Sequence, residues 1–182
     1  MLICKLGRES EVRTLAAIDQ LDVEILARLT ENARTGIAEI AAALGVSRAT
    51  VQIRMRRLEN EGILLGFQPI INLPAVGIPL QALVSLEVDQ RLLPSIVRGL
   101  RELPSVLEVR IQSGREDLLV HVAIESLEDH QKLTIAIVAI DGVRKTTSTF
   151  MVSTPVPYRV QPLLEEVARG TGWGRSTPAA PR

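Results

Sequence analysis

Between Ser47 and Leu58 the chain carries four arginines, Arg48, Arg54, Arg56 and Arg57, and no acid. Guanidinium groups at this density suit one kind of chemistry: bidentate hydrogen bonding to phosphate oxygens and to the edge of guanine. At about 100° per residue, Val51, Met55, Leu58 and Gly62 form a narrow stripe to be packed on other helices. The opposite side presents Ala49, Gln52, Ile53, Arg56 and Arg57. Ala49 is small, Gln52 can pair with a base edge, and Arg56 and Arg57 can reach guanine or phosphate. Arg54 falls beside the buried stripe, which favours a structural or phosphate-contacting role over base reading. Ser47 suits an N-cap, and with Arg48 and Thr50 it is placed to meet a phosphate at the helix start.

The elements that must position this helix lie just upstream. Gly36 to Leu44 reads as a short helix, and Gly45 supplies the positive φ that ends it before the helix capped by Ser47 begins. An earlier helix, Asp19 to Glu31, would bury Leu21, Ile25, Leu26 and Leu29, so that three helices close one small core. Together these make a helix-turn-helix with its second helix offered to a DNA groove. A basic amphipathic helix can also be no more than a solvated face. The Gly-Val-Ser turn, with an apolar helix before it, tips the balance to DNA.

Composition narrows the possibilities. Apolar residues make up 46% of the 182, aromatic residues only 2%, so the core must be aliphatic. The formal net charge is zero, which excludes a general polyanion binder and confines any nucleic-acid affinity to the local arginine patch. Cys4 is the only cysteine, ruling out an intramolecular disulfide framework or a cysteine-rich metal site; no metal is expected. The N-terminus turns charged too early for a secretory signal, and no apolar run reaches the roughly 20 residues of a membrane helix. A cytoplasmic location is expected.

The organisation reads as an N-terminal extension over 1–17, a helix-turn-helix domain over 18–66, and a connecting strand and linker over 67–80. The β-prone run 63–72 reads as a wing or connecting strand, and Pro69, Pro74, Gly77 and Pro79 then break regular structure. A second domain follows over 81–154. Ala82, Val84, Leu86 and Val88 alternate as a strand, and Leu93, Ile96, Val97, Leu100 and Leu103 repeat at helical spacing until Pro104. Leu107, Val109 and Ile111 predict a second strand, Ser113 to Glu116 a tight turn, and Leu118, Val120, Val122 and Ile124 a third. Leu127 to Ile140 predicts a helix and Val143 to Ser153 a Thr-rich last strand. The fold class is therefore α+β: a winged, three-helix helix-turn-helix followed by a ferredoxin-like βαββαβ domain with both helices on one sheet face. The open face should carry Leu83, Leu119, His121 and Phe150, and sheet-to-sheet pairing in a dimer would cover it. The tail, 155–182, reads as largely irregular, with a short amphipathic piece at Leu163 to Val167 and a disordered stretch from Gly170.

This arrangement resembles the Lrp/AsnC family of transcription regulators over roughly residues 18–154. The matches are Ile18-Asp19-x-x-Asp22-x-x-Ile25-Leu26, the cap Ser47, Arg54-Met55-x-x-Leu58-Glu59-x-x-Gly62-Ile63, and Gly66-Phe67. Gly114-x-x-Asp117 and Gly142-Val143 followed by threonines fit the second domain. The chain departs from the family pattern at Leu118, where an aromatic residue is usual, and at Gly36, where a Ser-like cap is common. The resemblance implies a homodimer that assembles to tetramers or octamers. It also implies a small effector, typically an amino acid, bound near the turn between the second and third strands. That site would comprise Gly114, Arg115, Glu116 and Asp117, with Asp117 pairing an amino group and N–H groups near Gly114 holding a carboxylate. Equally, Gly114 could only permit the turn and Asp117 only cap it.

These observations predict a sequence-specific DNA-binding transcription regulator, not an enzyme, with no cofactor beyond the effector. Its partners are double-stranded DNA carrying a partly palindromic operator, further copies of itself and the effector, with no membrane. The residues expected at DNA are Ser47, Arg48, Ala49, Thr50, Gln52, Arg56 and Arg57. One alternative is an enzyme like the siroheme decarboxylases, which share this architecture and would need histidines converging on a pocket. Only His121 and His130 exist, one on a strand and one in a helix. Another is a sensor or scaffold without DNA binding, which the arginine-rich helix argues against.

Overall fold

The computed structural model describes residues 17–173, and the chain divides into two compact units. One comprises the described residues up to Pro69 together with those from Tyr158 onwards; the other is Ile70–Pro157. The extension up to residue 16, which holds Cys4, and residues 174–182 lie outside the described residues.

The first unit opens with α1 (Gln20–Glu31), α2 (Ile37–Leu44) and α3 (Arg48–Asn60). At the start of α1, Asp19 accepts from the Asp22 backbone N–H at 3.0 Å while the Asp22 carboxylate accepts from the Asp19 N–H at 3.0 Å. This reciprocal capping box satisfies donors that the helix itself cannot. Leu21, Ile25 and Leu29 are buried against Ile40, Ala41, Leu44 and Val51, and Leu26 joins Ile18, Val23 and Leu58 in a second cluster. Three short helices are thus held by their aliphatic faces, since none of this length is stable alone.

The run 63–72, expected as a wing or connecting strand, forms no strand. A strand needs ladder bonds to a neighbour, and no strand among the described residues pairs with it. Leu65, Phe67, Ile70 and Ile71 stay exposed, Ile70 completely.

The second unit is β1 (Leu80–Val88), α4 (Leu93–Arg101), β2 (Val106–Ile111), β3 (Leu118–Ile124), α5 (Leu127–Val138) and β4 (Val143–Phe150). The four strands form an antiparallel sheet in the order β2-β3-β1-β4, which is the expected βαββαβ topology. Alternation does the positioning: Ala82, Val84, Leu86, Val88, Leu118, Val120, Val122 and Ile124 are buried with Ile96, Leu100, Leu133 and Ile137 of the helices. Gly142 has φ 90°, and a Cβ there would stand 2.9 Å from Leu92, so the turn into β4 needs glycine.

Register corrects two details. Phe150 lies opposite Ala82 and its ring is 4.8 Å from that of His130 on α5, so it belongs to the helix-covered face and not to the open one. Leu83, opposite His121, and Leu119 are on the open face as expected. In β2 a bulge between Val106 and Glu108 breaks the alternation and leaves Leu107 exposed while Val106 and Val109 pack on the core; Ile111, opposite Leu118 at the end of this edge strand, is exposed as well.

The short amphipathic piece expected at Leu163 to Val167 lies within α6 (Gln161–Val167), and Leu164 and Ala168 pack on Ile18, Val23, Leu26 and Leu58. Gly170 and Gly172, at φ 82° and 64°, turn the chain so that the Gly172 carbonyl accepts from the Gln20 N–H at 3.0 Å. Trp173, expected in a disordered stretch, packs on the cluster around Leu21 and Ile25. The partners of these residues stand at the opposite end of the sequence, beyond the reach of any local period. Ala168→Arg, at a site only 1% exposed, should lower stability by about 1–3 kcal/mol through overpacking. It should also red-shift the emission of Trp173, the only tryptophan. Denaturant unfolding followed by that emission checks it; an unchanged midpoint would mean that the tail contributes nothing to this core.

Candidate nucleic-acid interface and effector turn

The turn before α3 is built as its residues demand. Gly45 sits in the left-handed region at φ 67°, its N–H reaching the carbonyls of Ala41 and Ala42, and the Val46 N–H closes on Ala41 at 3.0 Å. Ser47 then accepts from the Thr50 N–H at 3.0 Å, and the two hydroxyls bond each other at 2.8 Å. Whichever hydroxyl donates, one proton of the pair is left to offer a phosphate.

The four arginines separate into two pairs. Arg54 Nη1 donates to Asp19 at 2.6 Å and stands 3.3 Å from Asp22, and its Nη2 reaches the Trp173 carbonyl at 3.5 Å. Arg57 Nη2 pairs with the other oxygen of Asp22, and Nη1 donates to the Ala17 carbonyl at 3.2 Å. Asp22 is fully buried, and a buried carboxylate is tolerated only when paired and hydrogen-bonded. Arg54 therefore has the structural role expected of it. Arg57 does not stand free on the reading face: its guanidinium is committed to Asp22. A helical wheel gives the direction of Cβ, whereas this long side chain ends where the acid is. The signal was the position of Asp22 on the buried stripe of α1, where an acid requires a cation.

What remains exposed on α3 is Arg48, Ala49, Gln52, Ile53 and Arg56, with Glu59 and Asn60 at its C-terminal end, Ser47 at the cap and Thr50 half-buried beside it. Among the described residues, Arg48 and Arg56 have no carboxylate partner. One helix face thus offers two free guanidinium groups, an amide and two apolar side chains, a set suited to a major groove.

In the second unit, residues 112–115 of the turn between β2 and β3 are exposed. Asp117 accepts from the Val88 N–H at 2.8 Å and from the Gln90 side chain, and its own N–H donates to Leu86 at 2.8 Å. It ties the start of β3 to the end of β1, which is the capping role held open above; two of its four lone-pair sites are used. Gly114 has no positive φ, and a Cβ there would meet nothing within 4 Å, so the turn of a single chain does not itself require glycine. An open groove of about 520 Å³ lies at the other end of β3, and its Asp129 and Lys132 are paired with each other at 3.4 Å.

The two histidines do not converge. His121 faces the open side of the sheet and bonds Gln81 at 3.0 Å, whereas His130 packs on the helix-covered side and bonds Ser148 at 2.9 Å. Among the described residues no group of three His, Cys, Asp or Glu is placed to hold a metal ion. No helix among them is long and apolar enough to cross a membrane.

Electrostatics ties Asp19 to pH. Burial alone would raise the Asp19 carboxyl; the Asp22 N–H and the Arg54 guanidinium outweigh it and hold the group below the ordinary aspartate range. For Arg54, burial pulls the value down and the two aspartates more than restore it, leaving it raised. A carboxyl lowered in the folded state stabilises the fold above its unfolded pKa of about 3.9, and that contribution is lost as pH falls through the lowered value. Wild-type stability should therefore fall on acidification below about pH 5, and less so in Asp19→Asn. Asp22→Ala, which removes the buried partner of Arg57 and one of the two carboxylates on Arg54, should cost about 1–3 kcal/mol. Unfolding midpoints by Trp173 emission check both, and a wild-type midpoint independent of pH would contradict the first.

The chain matches known proteins along both units. Residues 18–59 match the AsnC-type helix-turn-helix domain and residues 81–161 the Lrp/AsnC ligand binding domain. The HTH-type transcriptional regulator AldR of Mycolicibacterium smegmatis is 30% identical over 149 residues, covering 80% of this chain and 86% of AldR. The structure of Escherichia coli AsnC superposes with a TM-score of 0.74 at 27% identity, covering 80% of this chain and 99% of AsnC. The fold is also that of a transcriptional regulator from Neisseria meningitidis solved in complex with L-Met, with a TM-score of 0.72 at 20% identity over 80% of this chain and 99% of that one. An exposed, arginine-bearing α3 joined to an effector-type βαββαβ unit has its explanation in this kinship: the chain belongs to the Lrp/AsnC family of DNA-binding transcription regulators.

Proposed function

We propose that the chain binds a partly palindromic operator as a homodimer, with Ala49, Gln52 and Arg56 of α3 entering the major groove and Ser47, Arg48 and Thr50 contacting phosphate. The observation that carries this is the free face of α3: Arg54 and Arg57 are engaged by acids, and Arg48 and Arg56 are not. Two copies related by a twofold axis would set their recognition helices about 34 Å apart, one turn of the duplex. Self-association is favoured by the exposed run Leu65, Phe67, Ile70 and Ile71 and by Leu83 and Leu119 on the uncovered sheet face. Further assembly to a tetramer or octamer follows the family pattern. A chromosomal operator places the protein in the cytoplasm.

The turn Gly114 to Asp117 is our candidate for the effector, an amino acid. The unused lone pairs of Asp117 suit an ammonium group, and Arg115 with the backbone near Gly114 suits a carboxylate. The Neisseria regulator, determined with L-Met, gives an amino acid a precedent on this fold. Such an effector acts only if it binds the DNA-bound and free assemblies with different affinity. An enzyme is disfavoured because the relatives are named transcriptional regulators and the two histidines sit on opposite sides of the sheet.

On an operator fragment, Arg56→Ala should weaken binding by about 1–3 kcal/mol if the side chain reads a base. Arg48→Ala should instead weaken all sequences alike and reduce the salt slope by about one unit. Fluorescence anisotropy against salt concentration checks both, and unchanged affinity in Arg56→Ala would remove that residue from the interface. Among amino acids added singly, one should shift the operator affinity of wild type and not of Arg115→Ala. Equal response of the two proteins would move the effector away from this turn.

A further inference from the structure

The DNA-facing side of α3 holds a side chain that hydrogen bonding does not explain. Ile53 is the one large apolar residue of α1, α2 and α3 left exposed, at 65%. It lies one turn beyond Ala49 and one turn before Arg56, with Gln52 beside it, so Ala49 and Ile53 form an apolar strip in the middle of the polar reading face. A single exposed isoleucine elsewhere on a surface would need no explanation; here its neighbours restrict what can cover it. A second copy of the same face would bring unpaired arginines against unpaired arginines, whereas a polyanion complements them.

Once the helix is in a major groove, the tip of Ile53 must meet a base edge. Against an amino group, a ring nitrogen or a carbonyl oxygen it would strip water and return no hydrogen bond, which costs free energy. The apolar feature in that groove is the C5 methyl of thymine. Ala49 is small enough to let the backbone approach, so both side chains of the strip can reach a methyl. We infer that Ile53 is a specificity-determining residue that selects thymine through its methyl group at one or two positions in each half-site. This rests on the reading of α3 as the DNA-contacting helix.

The test is a methyl scan on the full-length protein. An operator recovered by selection is remade with each thymine in turn replaced by uracil, which removes the methyl and leaves every hydrogen-bonding group in place. Loss of one buried methyl should weaken wild-type binding about fourfold at the contacted positions. Ile53→Ala should bind thymine and uracil operators equally at those positions, with an unfolding midpoint unchanged because the residue is exposed. An operator at which no uracil substitution distinguishes wild type from Ile53→Ala overturns the inference while leaving the DNA-binding function intact. A change in oligomeric state in Ile53→Ala, with the methyl response retained, would assign the side chain to a protein contact instead. Failure to recover any operator removes the underlying reading of α3 and the inference with it.

Discussion

The first unit depends on a carboxylate placed where an apolar side chain would be expected. Asp22 is fully buried on the packing stripe of α1, and an unpaired charge there would be several kcal/mol too costly to keep. Its neutralisation draws in Arg54 and Arg57 from α3, and Asp19 is added through the capping box. The cluster of two acids and two bases therefore fixes where α1 begins and how α3 is rotated against it. Among the described residues the same arrangement engages Arg54 and Arg57 with Asp19 and Asp22 and leaves Arg48 and Arg56 without an acid. The tail enters this network as well, through the Trp173 carbonyl on Arg54.

The second unit obeys a different constraint, the two-residue period of a sheet covered on one face. Every second residue of β1 and β3 is buried against α4 and α5, which leaves the intervening residues, Leu83, Leu119 and His121 among them, on an uncovered face. Asp117 fixes the β2–β3 turn by holding the end of β1, so the exposed groups at 112–115 are carried on a rigid base. A preorganised turn of this kind is what a small zwitterion would require.

Most of this was legible in the sequence, because the deciding signals are local. Gly45 and Ser47 announce the turn into α3, and alternation from Ala82 to Val88 and from Leu118 to Ile124 gives both the strands and their buried faces. What was not legible depends on residues far apart. A wheel of α3 points Arg57 at DNA because it contains no information about Asp22 on α1. Alternation along β4 does not show which side Phe150 takes, and its register with Ala82 does. The strand expected over 63–72 lacks a partner among the described residues, and the packing of α6 and Trp173 joins the last described residues to the first helix. In each case the local signal is present in the sequence and the deciding partner is not local.

The central claim is that the unpaired arginines of α3, and not the acid-bound ones, deliver sequence-specific recognition. It is tested most directly by selecting genomic DNA fragments with the purified protein and repeating the selection with Arg48→Ala, Arg56→Ala. The expected result is a motif of two related half-sites about 34 Å apart, recovered by wild type and lost in the double variant at an unchanged unfolding midpoint. A motif recovered equally by both proteins would contradict it.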